Sequence, residues 1–142
     1  MIGLEIKIED NVKRVEEAAE RATFRNVGHA AATLRNEAIE SIIPAEGPSE
    51  EGTPPHTHTG GVTRKGKVRR GELQRAIVYD VDRAAQSALI GPRESVVGES
   101  GAAHEFGGEF KGQDYPERSF MGPALDNNDD RLAESFAGSI GE

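Results

Sequence analysis

Several residue types that often reveal a protein's chemistry are scarce or missing from this chain. It has no cysteine, no tryptophan and two methionines, and aromatic residues make up only 5% of its 142 positions. Without cysteine, disulfides and thiolate metal sites are excluded. No apolar run approaches the ~20 residues of a membrane-spanning helix, and the first residues alternate apolar and charged instead of forming a signal-peptide core. We therefore expect a protein that is made in the cytoplasm and has no membrane partner.

Large apolar side chains are also few. Leu, Ile, Val and Phe together account for 29 of the 142 residues, close to the fraction below which chains become disordered. Ordering the backbone costs ~1–2 kcal/mol per residue, whereas a large side chain contributes only ~1.5–3 kcal/mol when it is fully buried. We expect a single domain over residues 1–142 that is marginally stable alone and gains burial by association.

The charge balance is acidic, with 17 basic and 25 acidic residues and a net charge of −8. This balance disfavours a general nucleic-acid binder. A local basic segment is the exception, and it could contact DNA phosphates, dock on an acidic protein surface, or remain a solvated segment that adds solubility. No aromatic residue interrupts it, which disfavours stacking on single strands. Its cations are Arg64, Lys65, Lys67, Arg69, Arg70 and Arg75.

The first third of the chain predicts a strand followed by a long helix. Apolar residues alternate with charged ones over residues 4–8, and Asp10 can cap a helix that runs from about 11 to 43 and ends before Pro44. The apolar stripe of this helix changes phase near Gly28, which predicts a kink, two helices, or one long helix with different neighbours along its length. The first stripe is Val12, Val15, Ala19 and Ala22, and the second is Phe24, Val27, Ala31, Leu34, Ala38 and Ile42.

The remainder predicts an α+β fold with a small antiparallel sheet. Glycine and proline punctuate a long loop over about 44–70, which we expect to be mobile. A strand over 73–81 should turn at 82–83 and return over 87–90. A helical turn at 102–106 should end at Gly107 in the left-handed region, and residues 107–122 look irregular. Pro123 suits the first turn of a C-terminal helix.

Candidate catalytic groups are sparse. His56, His58 and His104 with the adjacent Glu105 could serve a small metal-dependent hydrolase, but the local His spacing of known zinc helices is absent. The segment 91–100 lacks the Lys-Ser/Thr ending of a phosphate loop, and no nucleophile elbow is present. We therefore expect a protein that is not an enzyme and has no cofactor or resident metal.

Four segments in order resemble one family: Gly71-Glu-Leu-Gln-Arg-Ala-Ile77, Ile90-Gly-Pro92, Ala103-His-Glu-Phe-Gly-Gly108 and Pro116-Glu-Arg-Ser-Phe-Met-Gly-Pro-Ala-Leu125. This pattern is similar to that of the neck and tail-completion proteins of tailed bacteriophages, although Ala76 and Ser119 depart from it. The resemblance implies a small α+β subunit with a twisted sheet, located in the virion and assembled in the host cytoplasm.

The same resemblance implies a structural role in joining the portal region of the head to the tail tube. It implies a homo-oligomeric ring, often of six copies, in contact with neighbouring connector and tail-tube proteins. It carries over no catalytic residue. It implies a packing or interface role for Phe106, Gly107, Phe120 and Pro123, and it places the basic segment against a neighbouring ring or the DNA channel. A DNA-binding accessory module that acts through residues 64–75 is the alternative.

Overall fold

The computed structural model of the chain describes residues 2–58 and 61–138, with side chains from residue 12 onward. Helices and strands are mixed, and the predicted α+β class, with its long N-terminal helix, is confirmed. The described elements are α1 Ile2–Ser41, β1 Ile43–Pro44, β2 His56–Thr57, α2 Glu72–Ala76, β3 Ile77–Asp82, β4 Ser87–Pro92, α3 Glu94–Val97, α4 Ser100–Phe106, β5 Gly108–Phe110, β6 Gln113–Tyr115, α5 Met121–Asp126 and α6 Asp129–Ala137.

The described strands form three two-stranded sheets. β3 and β4 are antiparallel, with Ile77 opposite Pro92 and Asp82 opposite Ser87. β5 and β6 form a second, shorter antiparallel hairpin, and β1 pairs with β2 in parallel. The β3–β4 hairpin is the larger of these sheets, and one of its faces meets α1.

The core lies where the C-terminal half of α1 packs on the β3–β4 hairpin and α5. Most of the second predicted apolar stripe is buried there, from Val27 to Ile42. Buried polar bonds connect the same elements. The Gln74 side chain donates to the carbonyls of Ile39 (3.1 Å) and Ile42 (2.8 Å) at the end of α1, where carbonyls lack partners within the helix. The central core residues are Ala38, Ile39, Ile42, Leu73, Ile77, Phe120 and Ala124.

The N-terminal half of α1 is different, because every side chain from residue 12 to 20 is exposed. We call residues 12–20 the arm. Val12 is 53% exposed and Val15 is 68% exposed, so the first predicted stripe is uncovered along the arm, although its last residue, Ala22, is buried. α1 continues unbroken through Gly28. The alternative of two helices is therefore wrong, and the uncovered part of this one helix ends before Ala22, ahead of the predicted phase change.

Four local predictions are wrong. Residues 4–8 belong to α1 and not to a strand, because a short alternation that also places Leu4 and Ile8 four apart suits either period. The predicted strand over 73–81 begins as α2, which directs Gln74 at α1. Residues 107–122 contain the β5–β6 hairpin, whose turn uses Gly112 at φ 73°. The predicted C-terminal helix is two helices, α5 and α6, that meet at Asn127 and Asn128.

The predicted loop over 44–70 has more structure than its composition indicates. It contains β2 and part of β1, and its Ser49 and Pro55 are buried. Val62 and Val68 pair as an antiparallel bridge, so the basic segment begins in a small hairpin. Residues 59 and 60 lie outside the described residues, and the mobility of the segment stays a prediction.

Candidate interaction surfaces

A single carboxylate joins α4 to the start of α5. Glu105, near the end of α4, accepts from the backbone N–H of Phe120 and Met121 at 2.9 Å each and of Gly122 at 2.8 Å. These are the first amides of α5, which have no partners within their own helix and carry a partial positive charge. Glu105 is therefore the N-terminal cap of α5, supplied from another element.

Backbone contacts complete this joint on both sides of Glu105. The Arg118 N–H donates to the His104 carbonyl at 2.7 Å, and the Gly52 N–H donates to the Glu117 carbonyl at 3.1 Å. The Arg118 guanidinium donates to the Ser49 carbonyl at 2.9 Å. Three separated stretches of chain, around residues 50, 105 and 118, are thus held in one junction. These bonds connect the three stretches directly, which is typical of a structural joint.

The four residues with a predicted packing or interface role have different environments. Phe120 is buried in the core and Phe106 is 78% exposed, so a packing role for Phe106 is not found within this chain. Gly107 has φ 68°, and an added Cβ would lie 3.1 Å from the Tyr115 carbonyl oxygen. Pro123 lies in the first turn of α5 with its side chain exposed. Phe106 and Pro123 therefore border a surface, whereas Gly107 and Phe120 build the fold.

The basic segment begins as an ordered hairpin, which we call the basic hairpin (residues 61–69). The Thr63 N–H donates to the Lys67 carbonyl and the Arg69 N–H to the Gly61 carbonyl, each at 2.8 Å. Arg64 and Lys65 occupy its turn, and all of its cations are exposed. Arg70 follows it, and Arg75 lies in α2, also exposed. None of these cations forms an ion pair with a carboxylate in the described part of the chain.

The histidines considered for metal binding come together around one cavity. His56, His58 and His104 line a cavity of about 400 Å³ with Glu72 and Ser100. The His56 ring nitrogen Nδ1 lies 3.1 Å from the Gly47 carbonyl oxygen. Within residues 2–58 and 61–138, however, no three histidine or acidic side chains are placed to hold one ion. The three predicted histidines therefore line one cavity, and metal binding there stays untested.

Two groups in the described part of the chain have shifted pKa values. Burial, and then the nearby Arg118 cation, lowers the pKa of His104 below its ordinary 6.5, and its Nδ1 atom is buried without a hydrogen-bond partner among the described residues. Hydrogen bonds from the side-chain amides of Asn128 and Asn127 lower the pKa of Glu37 below 4.5. Glu37 thereby ties α1 to the turn between α5 and α6.

Comparison with known proteins gives no relatives: no protein-family model, curated protein or solved structure matches this chain. Among the described residues, no helix combines the length and the apolar character needed to cross a lipid bilayer. The resemblance to bacteriophage neck proteins therefore stays a prediction based on the four sequence segments.

Sequence reasoning missed the role of Glu105, although it singled out the segment around it. The sequence contains only part of the pattern that would predict this cap: a glutamate near the end of one helical turn and a proline near the start of a later helix. Nothing local connects residues fifteen positions apart, because a carboxylate can cap any helix that the tertiary fold brings near it. The valine pair of the basic hairpin was missed for a similar reason, since it depends on pairing across a turn.

Proposed function

We propose that this protein is a non-enzymatic structural subunit that assembles in several copies, of the type that joins the head and tail of a bacteriophage or a phage-like particle. The observation that carries the proposal is the uncovered apolar stripe of the arm. A helix whose apolar side chains remain in water gains little from its own fold. A second polypeptide that covers the stripe supplies the missing burial.

Two further features support an assembly role. The polar groups of the Glu105 junction hold α4, α5 and the loop near residue 50 together, which is the behaviour of a rigid joint. Phe106 stands exposed beside this junction, and exposed aromatic side chains are typical anchors of protein interfaces. The four sequence segments that resemble neck and tail-completion proteins specify the kind of assembly.

Light scattering and native mass spectrometry of the purified chain test the assembly role directly. We expect a defined multiple of the 15.2 kDa subunit, six copies being the number that the resemblance implies. Val12→Ser with Val15→Ser should dissociate it, whereas Leu89→Ser, which removes an apolar side chain that is 81% exposed on β4, should not. A monomer at all accessible concentrations would contradict the proposal.

The head–tail role has its own test in the source of the gene. Particles produced without this gene should contain heads and tails that fail to join, and restoring the gene should restore joining. Normal joined particles in its absence would contradict the head–tail role while leaving self-assembly intact.

A second candidate function is non-specific DNA contact through the basic hairpin. It is favoured by the exposed cations of the hairpin, which form no ion pair with any described carboxylate. Replacing Arg64, Lys65, Arg69 and Arg70 with Gln should lower the slope of log affinity against log salt, by about 0.9 for each duplex phosphate that is no longer neutralised. No binding by the parent protein at low salt would exclude this function. Metal analysis of the untagged protein tests the hydrolase alternative at His56, His58 and His104.

A further inference from the structure

The basic hairpin presents an uncovered apolar pair among its cations. Val62 and Val68 are opposite each other in its antiparallel bridge, so their side chains are on the same face. They are 65% and 64% exposed. The hairpin is held by backbone bonds and by the Thr63 hydroxyl, which accepts from the Lys67 N–H at 3.1 Å. Lys67 and Arg69 are adjacent to Val68 in the strand and therefore alternate to the opposite face. The face that carries the two valines is thus bordered by the turn cations Arg64 and Lys65.

The arm presents the complementary arrangement. Val12, Val15 and Ala19 follow the spacing of one helix face. Glu16 lies one turn after Val12 and Glu20 one turn after Glu16, so carboxylates follow one edge of this face. The other edge carries Arg14 and the small side chain of Ala18, and it ends at Ala22, which is buried within this chain. Neither Glu16 nor Glu20 forms an ion pair with another described residue.

We propose that the valine pair of the basic hairpin of one copy packs on Val12 and Val15 of the arm of the next copy. The turn cations Arg64 and Lys65 then lie against Glu16 and Glu20. This inference rests on the proposed assembly role and names the surfaces that perform it. This contact covers four exposed valine side chains. At its edge it brings together charges of opposite sign that form no ion pair among the described residues.

The contact forms between copies, because both surfaces are exposed in the folded chain. Each copy carries one hairpin and one arm, so the contact is head-to-tail and repeats from copy to copy. Head-to-tail contacts close into a ring where the rotation between subunits permits. Four valines cover far less than the ~1,200–2,000 Å² of a standard interface, so the contact sets the register and other surfaces add area. Rim charges make association sensitive to salt.

Cysteine cross-linking tests the contact cleanly, because the chain has no native cysteine. Val15→Cys is prepared in unlabelled protein and Val68→Cys in ¹⁵N-labelled protein. The two are mixed under dissociating conditions, reassembled and mildly oxidised. We expect mixed-mass dimers that a reducing agent separates. Leu89→Cys mixed with Val68→Cys is the matched control and should give none.

The alternative outcomes are distinct. Dimers of Val15→Cys alone would indicate arm-to-arm packing, and dimers of Val68→Cys alone would indicate hairpin-to-hairpin packing; either result in place of the mixed dimer overturns the proposal. An oligomer without the mixed dimer overturns this contact and leaves the assembly role standing. A monomer overturns both.

Charge reversal provides a second measurement that does not depend on cross-linking. Glu16→Lys with Glu20→Lys should raise the subunit concentration at half-dissociation by about tenfold or more. Arg64→Glu with Lys65→Glu in the same chain should recover much of the loss. Glu17→Lys is the control, because Glu17 lies on another face and pairs with Arg21 at 3.9 Å. Unchanged dissociation after the Glu16 and Glu20 reversal would contradict the proposed register.

Discussion

At the scale of single residues, Glu105 illustrates how one side chain can define a junction. Its two oxygens accept three backbone N–H groups of α5, while its own carbonyl accepts from the Ser119 hydroxyl at 2.8 Å. Hydrogen bonds to a charged acceptor are stronger than those between neutral groups. The residue therefore fixes both the start of α5 and the path of the chain into it.

Glu105→Gln should destabilise the fold by about 2 kcal/mol, because the neutral amide weakens the charge-assisted bonds and places an N–H against the helix amides. Urea unfolding of the subunit measures this change in the free energy of unfolding. Glu109→Gln, at an exposed position in β5, is the matched control and should stay within about 0.5 kcal/mol. Equal effects of the two substitutions would refute the capping role.

His104 should make stability depend on pH. Its pKa in the folded state lies below the ordinary 6.5, so the folded chain binds fewer protons than the unfolded chain in this range. The stability that comes from keeping His104 neutral is fully present above about pH 6.5 and is lost as the pH falls through the folded-state pKa. The urea midpoint should therefore be lower at pH 5.5 than at pH 7.5, and His104→Gln should reduce this difference.

His29→Gln, at an exposed position of α1, controls for the loss of an imidazole as such. If His104→Gln leaves the pH dependence as large as in the parent, the buried imidazole is not its source.

At the scale of elements, the spacing of apolar residues predicted which face of α1 is buried. It failed for short elements whose conformation depends on contacts with other elements. The stripe from Val27 to Ile42 identified the buried face of α1, because a buried face must be apolar at helical spacing. α2 and the β5–β6 hairpin were missed, since the Gln74 bonds to α1 and the ring contact of Phe110 with Tyr115 (centroids 5.8 Å apart) are tertiary. Short elements of this kind have too few residues for a period to appear.

Gly28 and Gly107 should respond in opposite ways to alanine. A Cβ at Gly28 meets nothing within 4 Å, and glycine costs ~1 kcal/mol inside a helix, so Gly28→Ala should stabilise the subunit by about 0.5–1 kcal/mol. Gly107→Ala should destabilise it by more than about 1 kcal/mol, because its φ is 68° and the new Cβ would approach the backbone at 3.1 Å. Thermal unfolding measures both, and a destabilising Gly28→Ala would indicate a neighbour at that position.

At the scale of the whole molecule, the chain divides into a packed part and a projecting part. The core is formed by the end of α1, the β3–β4 hairpin and α5, whereas all side chains of the arm are exposed. A helix segment without tertiary cover is only marginally stable in water. The composition predicted this shortage of burial, but it could not say which part of the chain would remain uncovered.

Hydrogen exchange should therefore map the division. Amides of residues 12–20 should exchange much faster than those of residues 31–41 in the dilute subunit, and they should slow upon assembly together with the amides of the basic hairpin. Mass spectrometry of peptides at low and high protein concentration measures both. Arm peptides that exchange equally fast in both states would contradict an interface there.

The Glu105 cap also has a consequence for how relatives of this chain can diverge. Its donors are main-chain groups, which every residue except proline supplies, so the bonds do not restrict the side chain at position 121, whereas Phe120 is also held by the core in which it is buried. Gly122 has less freedom, because a Cβ there would lie 3.3 Å from a Glu105 oxygen. A glutamate followed seventeen residues later by a small residue is therefore the signature by which distant relatives should be sought.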